Sequence, residues 1–286
     1  MMTEFIQAVF DPDVPFLRYA LIVGLLASLS FGIIGSYVVA RRITYIAGAI
    51  AHSVLGGIGI GLFVQIKLGI AWCHPMYVAV VAALAAALTL GLVNIKANQR
   101  EDTVIGTIWA VGMAIGLLFI ARTPGYVDPM SYLFGNILLI SRSDIWLVIA
   151  LDIAVVGLGL YFYNKFLAVC FDEEFTRLRN VKSDAYYLLL LCLTALTVVL
   201  LIRIVGIVMV IALLTLPAAA AGQFARRLWQ MMALAVLFSM FFIVFGLGFS
   251  YTFDLPSGPT IILIAGFVYL ITIITQQVSG RRKLFK

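Results

Sequence analysis

The sequence predicts an all-α, polytopic membrane protein with about nine spanning helices, eight at the fewest. Three observations carry this expectation. Hydrophobic residues make up 64% of the 286 and charged residues only 11%, where a soluble domain carries roughly a quarter charged. The apolar residues fall into runs of about 20, the length at which a helix crosses a bilayer. Lys and Arg gather in alternate loops between those runs. The same figures exclude a soluble enzyme, a disordered chain and a solenoid of repeats.

The elements follow in order. The opening MMTEFIQAVFDPDVP lacks a basic stretch leading into a short apolar core with a cleavage site. It is expected to be a short amphipathic segment lying on the membrane rather than a signal peptide. Spans are expected near 16–40, 43–64, 75–94, 103–121, 144–163, 184–202, 205–222, 228–249 and 259–277. Each is helical, because backbone in lipid must satisfy its own hydrogen bonds. Residues 124–143 open with Pro124, Gly125 and Pro129 and hold one short apolar run. They read as a loop with a short, half-inserted helix. No linker divides the chain, so residues 1–286 form a single transmembrane domain.

Nine crossings put the termini on opposite sides. With the C-terminus inside, fourteen of the 19 basic residues face the cytoplasm: Arg41, Arg42, Lys96, Arg100, Lys165, Arg177, Arg179, Lys182, Arg226, Arg227 and the four within 281–286. Arg18, Lys67, Arg122, Arg142 and Arg203 face outward. That asymmetry predicts an outside N-terminus and an inside C-terminus. The net charge of +6 then reflects topology and not nucleic-acid binding. Three cysteines, Cys73, Cys170 and Cys192, form no CxxC pair and imply no disulfide framework or thiolate zinc site.

Several residues are candidates for chemistry. His52 lies about nine residues into the second span, roughly 13 Å from its cytoplasmic end. An ionisable side chain at that depth is either a functional group on a wet pathway, able to hold a passing metal ion, or a neutral imidazole bonded to a neighbouring helix. Asp152, deep in the fifth span, either joins His52 or accepts a bond from a Tyr, Ser or Thr nearby. Cys73 and His74 form a soft pair in an outside loop, either an entrance for metal or a loop end beside the interfacial Trp72. Gly57 and Gly61, and Gly112 and Gly116, are spaced for close helix packing. Pro217 is expected to kink its helix. Asp254, a further candidate for the metal pathway or else purely structural, stands at the outside entrance to the last span, where Ser257 or Gly258 suits a cap and Pro259 a first turn.

The segment AVCFDEEFTRLRNVKSD, residues 168–184, is the most polar stretch inside. Acids precede bases, the order a helix dipole favours. Phe171 and Phe175 share one face, and Asn180 can end the helix. It is either a solvated loop or a helix presented to a cytoplasmic partner. No GxxxxGK[ST] phosphate loop occurs, so any driving ATP is bound by another chain. An HExxH motif is also lacking, which argues against an intramembrane metalloprotease.

Taken together, RRITYIAGAIAHSVLGG, YLFGNIL followed by Ser141 and Asp144, FDEEFTRL, VGIVMVIALLTLPAAAA and SYTFDLPSGPTIIL resemble the permease subunits of bacterial metal-type ABC importers, the manganese, zinc and iron permease family. The resemblance runs nearly end to end. It implies a multi-pass protein of the bacterial inner membrane that dimerises with a second copy of itself. Two ABC ATPase subunits would dock inside and carry the ATP, and an extracytoplasmic metal-binding protein would deliver the ion. The chain itself would bind no resident cofactor and no nucleic acid. The resemblance also assigns residues 171–180 as a coupling helix, with Phe171, Asp172, Glu173, Glu174, Phe175 and Arg177 meeting the ATPase.

The family's mid-membrane D-x-x-x-H pattern falls on Gly48 and His52, so the histidine is present and the aspartate is not. Asn136 likewise stands where the family often has aspartate. Fewer carboxylates favour zinc over manganese or iron as cargo. Two alternatives remain: a permease for a metal chelate such as a siderophore or cobalamin, which usually has a longer chain, and a proton-coupled transporter using His52 and Asp152 as a relay.

Overall fold

The computed structural model describes residues 2–11, 15–70, 72–96, 101–125, 129–135, 142–171 and 182–278. Among them are twelve helices: α1 Met2–Phe10, α2 Pro15–Ala40, α3 Thr44–Ile66, α4 Pro75–Lys96, α5 Glu101–Arg122, α6 Pro129–Phe134, α7 Arg142–Tyr161, α8 Tyr163–Phe171, α9 Ser183–Val205, α10 Ile207–Phe224, α11 Leu228–Phe253 and α12 Ser257–Val278. Eight are long and apolar enough to cross a membrane. Helices α7 and α8, bent by 67° at Phe162, make a ninth if the pair is counted as one span. All nine expected spans are therefore present as helices. The bend at Phe162 and the separate helix α8 were not legible in the sequence.

The ends of the helices follow local chemistry. Arg42 sits in the left-handed region at φ 62° where α2 stops. The Ile43 and Arg42 amides return to Val38 and Val39 carbonyls at 3.0 and 3.1 Å, a Schellman-type closure. Asp254 closes α11 in the same way at φ 52°, with the Leu255 amide on the Ser250 carbonyl at 3.0 Å. Acidic and amide side chains tolerate that conformation better than most. Gln230 reaches back to accept the amides of Arg226 and Arg227 at 3.1 and 3.2 Å, capping the start of α11. Helix α12 begins at Ser257 and holds Pro259 in its first turn, while α10 runs on through Pro217.

Helix α3 is the centre of one packed group, flanked by α4 and α5; α2 packs on α7, α10 and α11, and α12 on α10 and α11. Helix α9 joins the two groups through α3, α4 and α10. Small residues set how near the axes come. A Cβ on Gly57 would meet the backbone of Ala79, and one on Gly61 that of Pro75, so α3 and α4 touch along their glycine face. Outward-facing side chains such as Leu263 and Phe267 on α12 are exposed and suit lipid.

The N-terminal helix α1 buries Phe5, Ala8 and Val9 against α2 and α11. The rings of Phe5 and Tyr251 lie 6.2 Å apart. The short helix expected within 124–143 is α6. Gly135, which follows it at φ +64°, crosses Gly206, at φ +85°, backbone against backbone. Gly258 meets the Phe134 carbonyl at the same place. Three motifs distant in sequence thus converge at one glycine junction, where no side chain has room.

Candidate functional site

Helix α3 is the most enclosed span, because Gly48, Gly56, Gly57, Gly59 and Gly61 let neighbours approach on both sides. Helix α5 lies parallel to it. A Cβ on Gly56 would meet the Gly112 carbonyl at 2.8 Å, and Gly59 pairs with Gly116 in the same register. The Ser53 hydroxyl donates to the Ala49 carbonyl at 2.9 Å. His52 is carried at the ninth position of α3 and is 8% exposed.

Two contacts hold the imidazole. Nδ1 lies 2.9 Å from the Gly48 carbonyl. A carbonyl only accepts, so Nδ1 bears a hydrogen, and in the neutral ring the lone pair is on Nε2. The indole of Trp109 stacks on the ring with centroids 4.2 Å apart and planes 22° apart. The ring is fixed in orientation, and its neutral form is the tautomer that presents Nε2 to a metal. Among the described residues, no three His, Cys, Asp or Glu side chains converge as a metal site. His52 therefore offers one nitrogen, not a closed cage.

Asp152 stands elsewhere. It is 6% exposed on α7, and its Oδ1 accepts the hydroxyl of Ser30 on α2. Its Oδ2 has no hydrogen-bond partner. His52 faces α5 while Asp152 faces α2, and no hydrogen bond links them. Asp254 is an exposed helix cap at the end of α11. His74 Nδ1 accepts the Met76 amide at 3.2 Å, capping α4, and its ring meets Tyr77 edge-on at 5.8 Å. Cys73 is half-buried, in a turn closed by its own amide on the Ile70 carbonyl at 3.1 Å.

Phe171 is the exposed last residue of α8. Asp172, Glu173, Glu174, Phe175, Arg177 and Asn180 lie outside the described residues, as do Asn136 and Ser141. What is described is the anchorage of α8. Phe166 packs edge-on to Tyr37 at 5.2 Å and beside Phe162 at 5.9 Å. Phe162 in turn meets Tyr186 of α9 at 5.7 Å.

The sequence reading missed Trp109, Ser30 and Tyr37. Trp109 did carry a signal: a tryptophan in mid-span is out of place when its usual position is the interface. Ser30 and Tyr37 carried none, since serine and tyrosine are ordinary in such helices.

The profile of the ABC 3 transport family matches residues 13–276. The chain is similar to the manganese transport system membrane protein MntC of Listeria monocytogenes, 35% identical over 93% of this chain and 92% of that one. It is similar to the high-affinity zinc uptake system membrane protein ZnuB of Haemophilus influenzae, 29% identical over 90% and 97%. Among solved structures, PsaBC of Streptococcus pneumoniae in complex with Fab superposes with a TM-score of 0.83 at 28% identity, covering 95% of each chain.

Proposed function

From the premise that this chain belongs to the ABC 3 transport family, we propose how it carries its cargo. It is the permease subunit of a metal-type ABC importer and a multi-pass protein of a bacterial membrane. The cargo we assign is a divalent transition metal ion, zinc ahead of manganese or iron. Relatives named for manganese and for zinc both match, at 35% and 29% identity. What favours zinc is the nitrogen donor His52 with Gly48, not a carboxylate, on the same helical face.

The ion arrives from an extracytoplasmic metal-binding protein, passes His52 near mid-membrane, and leaves inside. A second copy of this chain completes the passage. ATP is hydrolysed on two separate ATPase subunits that dock on residues 168–184, with Phe171, Asp172, Glu173, Glu174, Phe175 and Arg177 in contact. The chain itself is not an enzyme. Its N-terminus lies outside and its C-terminus inside. The observation that carries the reading is His52 itself, buried at mid-span with its tautomer fixed and Nε2 left as donor. A proton relay through His52 and Asp152 finds less support, because the two side chains face different helices.

The test is total cell metal by mass spectrometry, across manganese, iron, zinc, nickel and cobalt, under metal limitation. Strains lack this chain, carry it intact, or carry His52→Ala at equal abundance. One metal should fall without the chain and stay low with His52→Ala. No change in any metal would overturn the assignment.

A further inference from the structure

Gly48 and His52 stand one helical turn apart on α3 and present the same face to α5. Position 48 is therefore the place from which a second ligand atom on this helix would reach an ion held by the imidazole. That place is taken. A Cβ on Gly48 would lie 2.9 Å from Cζ3 of Trp109, 3.4 Å from Cη2 and 3.6 Å from Cε3. The six-membered ring of the indole covers the α-carbon, and the same indole stacks on the imidazole at 4.2 Å. His52 and Trp109 are each the ninth residue of their parallel helices, so they sit at the same depth. One side chain thus performs two tasks: it fixes the plane of His52 and it fills position 48.

We propose that Trp109 sets the ion specificity of this pathway. An ion arriving at Nε2 meets an aromatic wall beside the imidazole, with no oxygen donor from the same helix face. Such a surround suits ions that bind imidazole well, and it disfavours hard ions that depend on oxygen ligands. The indole N–H only donates, so Trp109 is a positioning residue and not a ligand. The proposal rests on His52 lining the transport path, as argued above.

The experiment measures uptake of zinc and of manganese, each supplied alone as its chloride. Cells lacking the native chain carry the intact chain, Trp109→Ala, Trp109→Phe, Gly48→Asp, Gly48→Asp with Trp109→Ala, or His52→Ala. Abundance in the membrane is matched by immunoblot. Gly48→Asp alone should lose uptake, since the carboxylate has no room beside the indole. Adding Trp109→Ala should restore uptake and lower the zinc-to-manganese ratio by about tenfold, the scale on which outer-shell changes alter metal affinity. Trp109→Phe, which keeps a stacking ring, should hold the intact ratio while Trp109→Ala lowers it.

The ratio separates a specificity role from a merely structural one, which would lower both metals together. The proposal is overturned if Gly48→Asp alone transports with the intact ratio, or if the double variant keeps it. Should the double variant not reach the membrane, equal ratios for intact, Trp109→Phe and Trp109→Ala chains would overturn it equally. If the intact chain moves neither metal and matches His52→Ala, the pathway reading fails and takes this proposal with it. If His52→Ala abolishes uptake but no ratio shifts, only the role of Trp109 falls.

Discussion

Tyr37 donates its hydroxyl to the Gly159 carbonyl at 2.8 Å, tying α2 to α7 two residues before α7 ends. The same ring takes Phe166 of α8 edge-on, and both side chains are fully buried. Helix α8 thereby has a fixed seat on α2. On the proposed docking of an ATPase at residues 168–184, a push there would reach the spans through Phe166 and Tyr37.

Phe166→Ala should therefore weaken coupling as well as stability. Removing a buried phenyl costs about 3–5 kcal/mol in soluble cores, whereas Tyr37→Phe keeps the ring and removes one hydrogen bond, worth about 1 kcal/mol. In a reconstituted importer the expected order of metal moved per ATP hydrolysed is intact, then Tyr37→Phe, then Phe166→Ala. Equal ratios in all three would show that α8 does not transmit the push.

Changes in the segment itself should act on coupling alone. Replacing Phe175, or the acids at 172–174, with Ala is expected to leave the permease in the membrane at normal abundance. ATP hydrolysis would continue while uptake falls. Normal coupling in these variants would remove the segment from contact with the ATPase.

The Asp152 pair has a different expected signature. Asp152→Asn keeps an acceptor for Ser30, and hydrogen bonds between membrane helices average about 0.6 kcal/mol. Uptake should stay within about threefold of the intact chain, the change that energy allows. Loss of uptake at unchanged abundance would instead put the carboxylate on the ion path.

His74→Ala should behave as the loss of a helix cap. Capping residues contribute about 1 kcal/mol, so the melting temperature in detergent should fall while the metal dependence of uptake is unchanged. A weaker apparent affinity for metal with no loss of stability would make Cys73 and His74 an entrance site after all.

The glycine junction offers a contrast between two glycines. Gly206→Ala forces a Cβ into the backbone of Gly135 and Phe134 at a positive φ, and folded protein should be lost. Gly266→Ala meets open space on α12 and should be tolerated or slightly stabilising, since alanine is favoured over glycine in helices by about 1 kcal/mol. Comparable yields of both variants in a fluorescence-detected size-exclusion profile would contradict the crossing.

The sequence by itself determined the class and the spans. Solvation in a bilayer demands long apolar runs, and that demand is written residue by residue from Pro15 to Val278. It also singled out His52, because an ionisable group inside such a run is costly wherever it points. Local signals sufficed as well for α6, which opens at Pro129, and for the close-packing glycines of α3 and α5. Only the tertiary structure decided what faces what. Trp109 is 57 positions from His52, and Ser30 is 122 positions from Asp152. No local pattern links such pairs, since helix rotation and register are set by how glycine faces interlock across the bundle. That interlock placed an indole over Gly48, and it turned Asp152 towards α2 and away from the histidine it resembles a partner for in sequence. The bend at Phe162 is decided in the same way, by an aromatic cluster drawn from α2, α8 and α9 that exists only once those helices have packed.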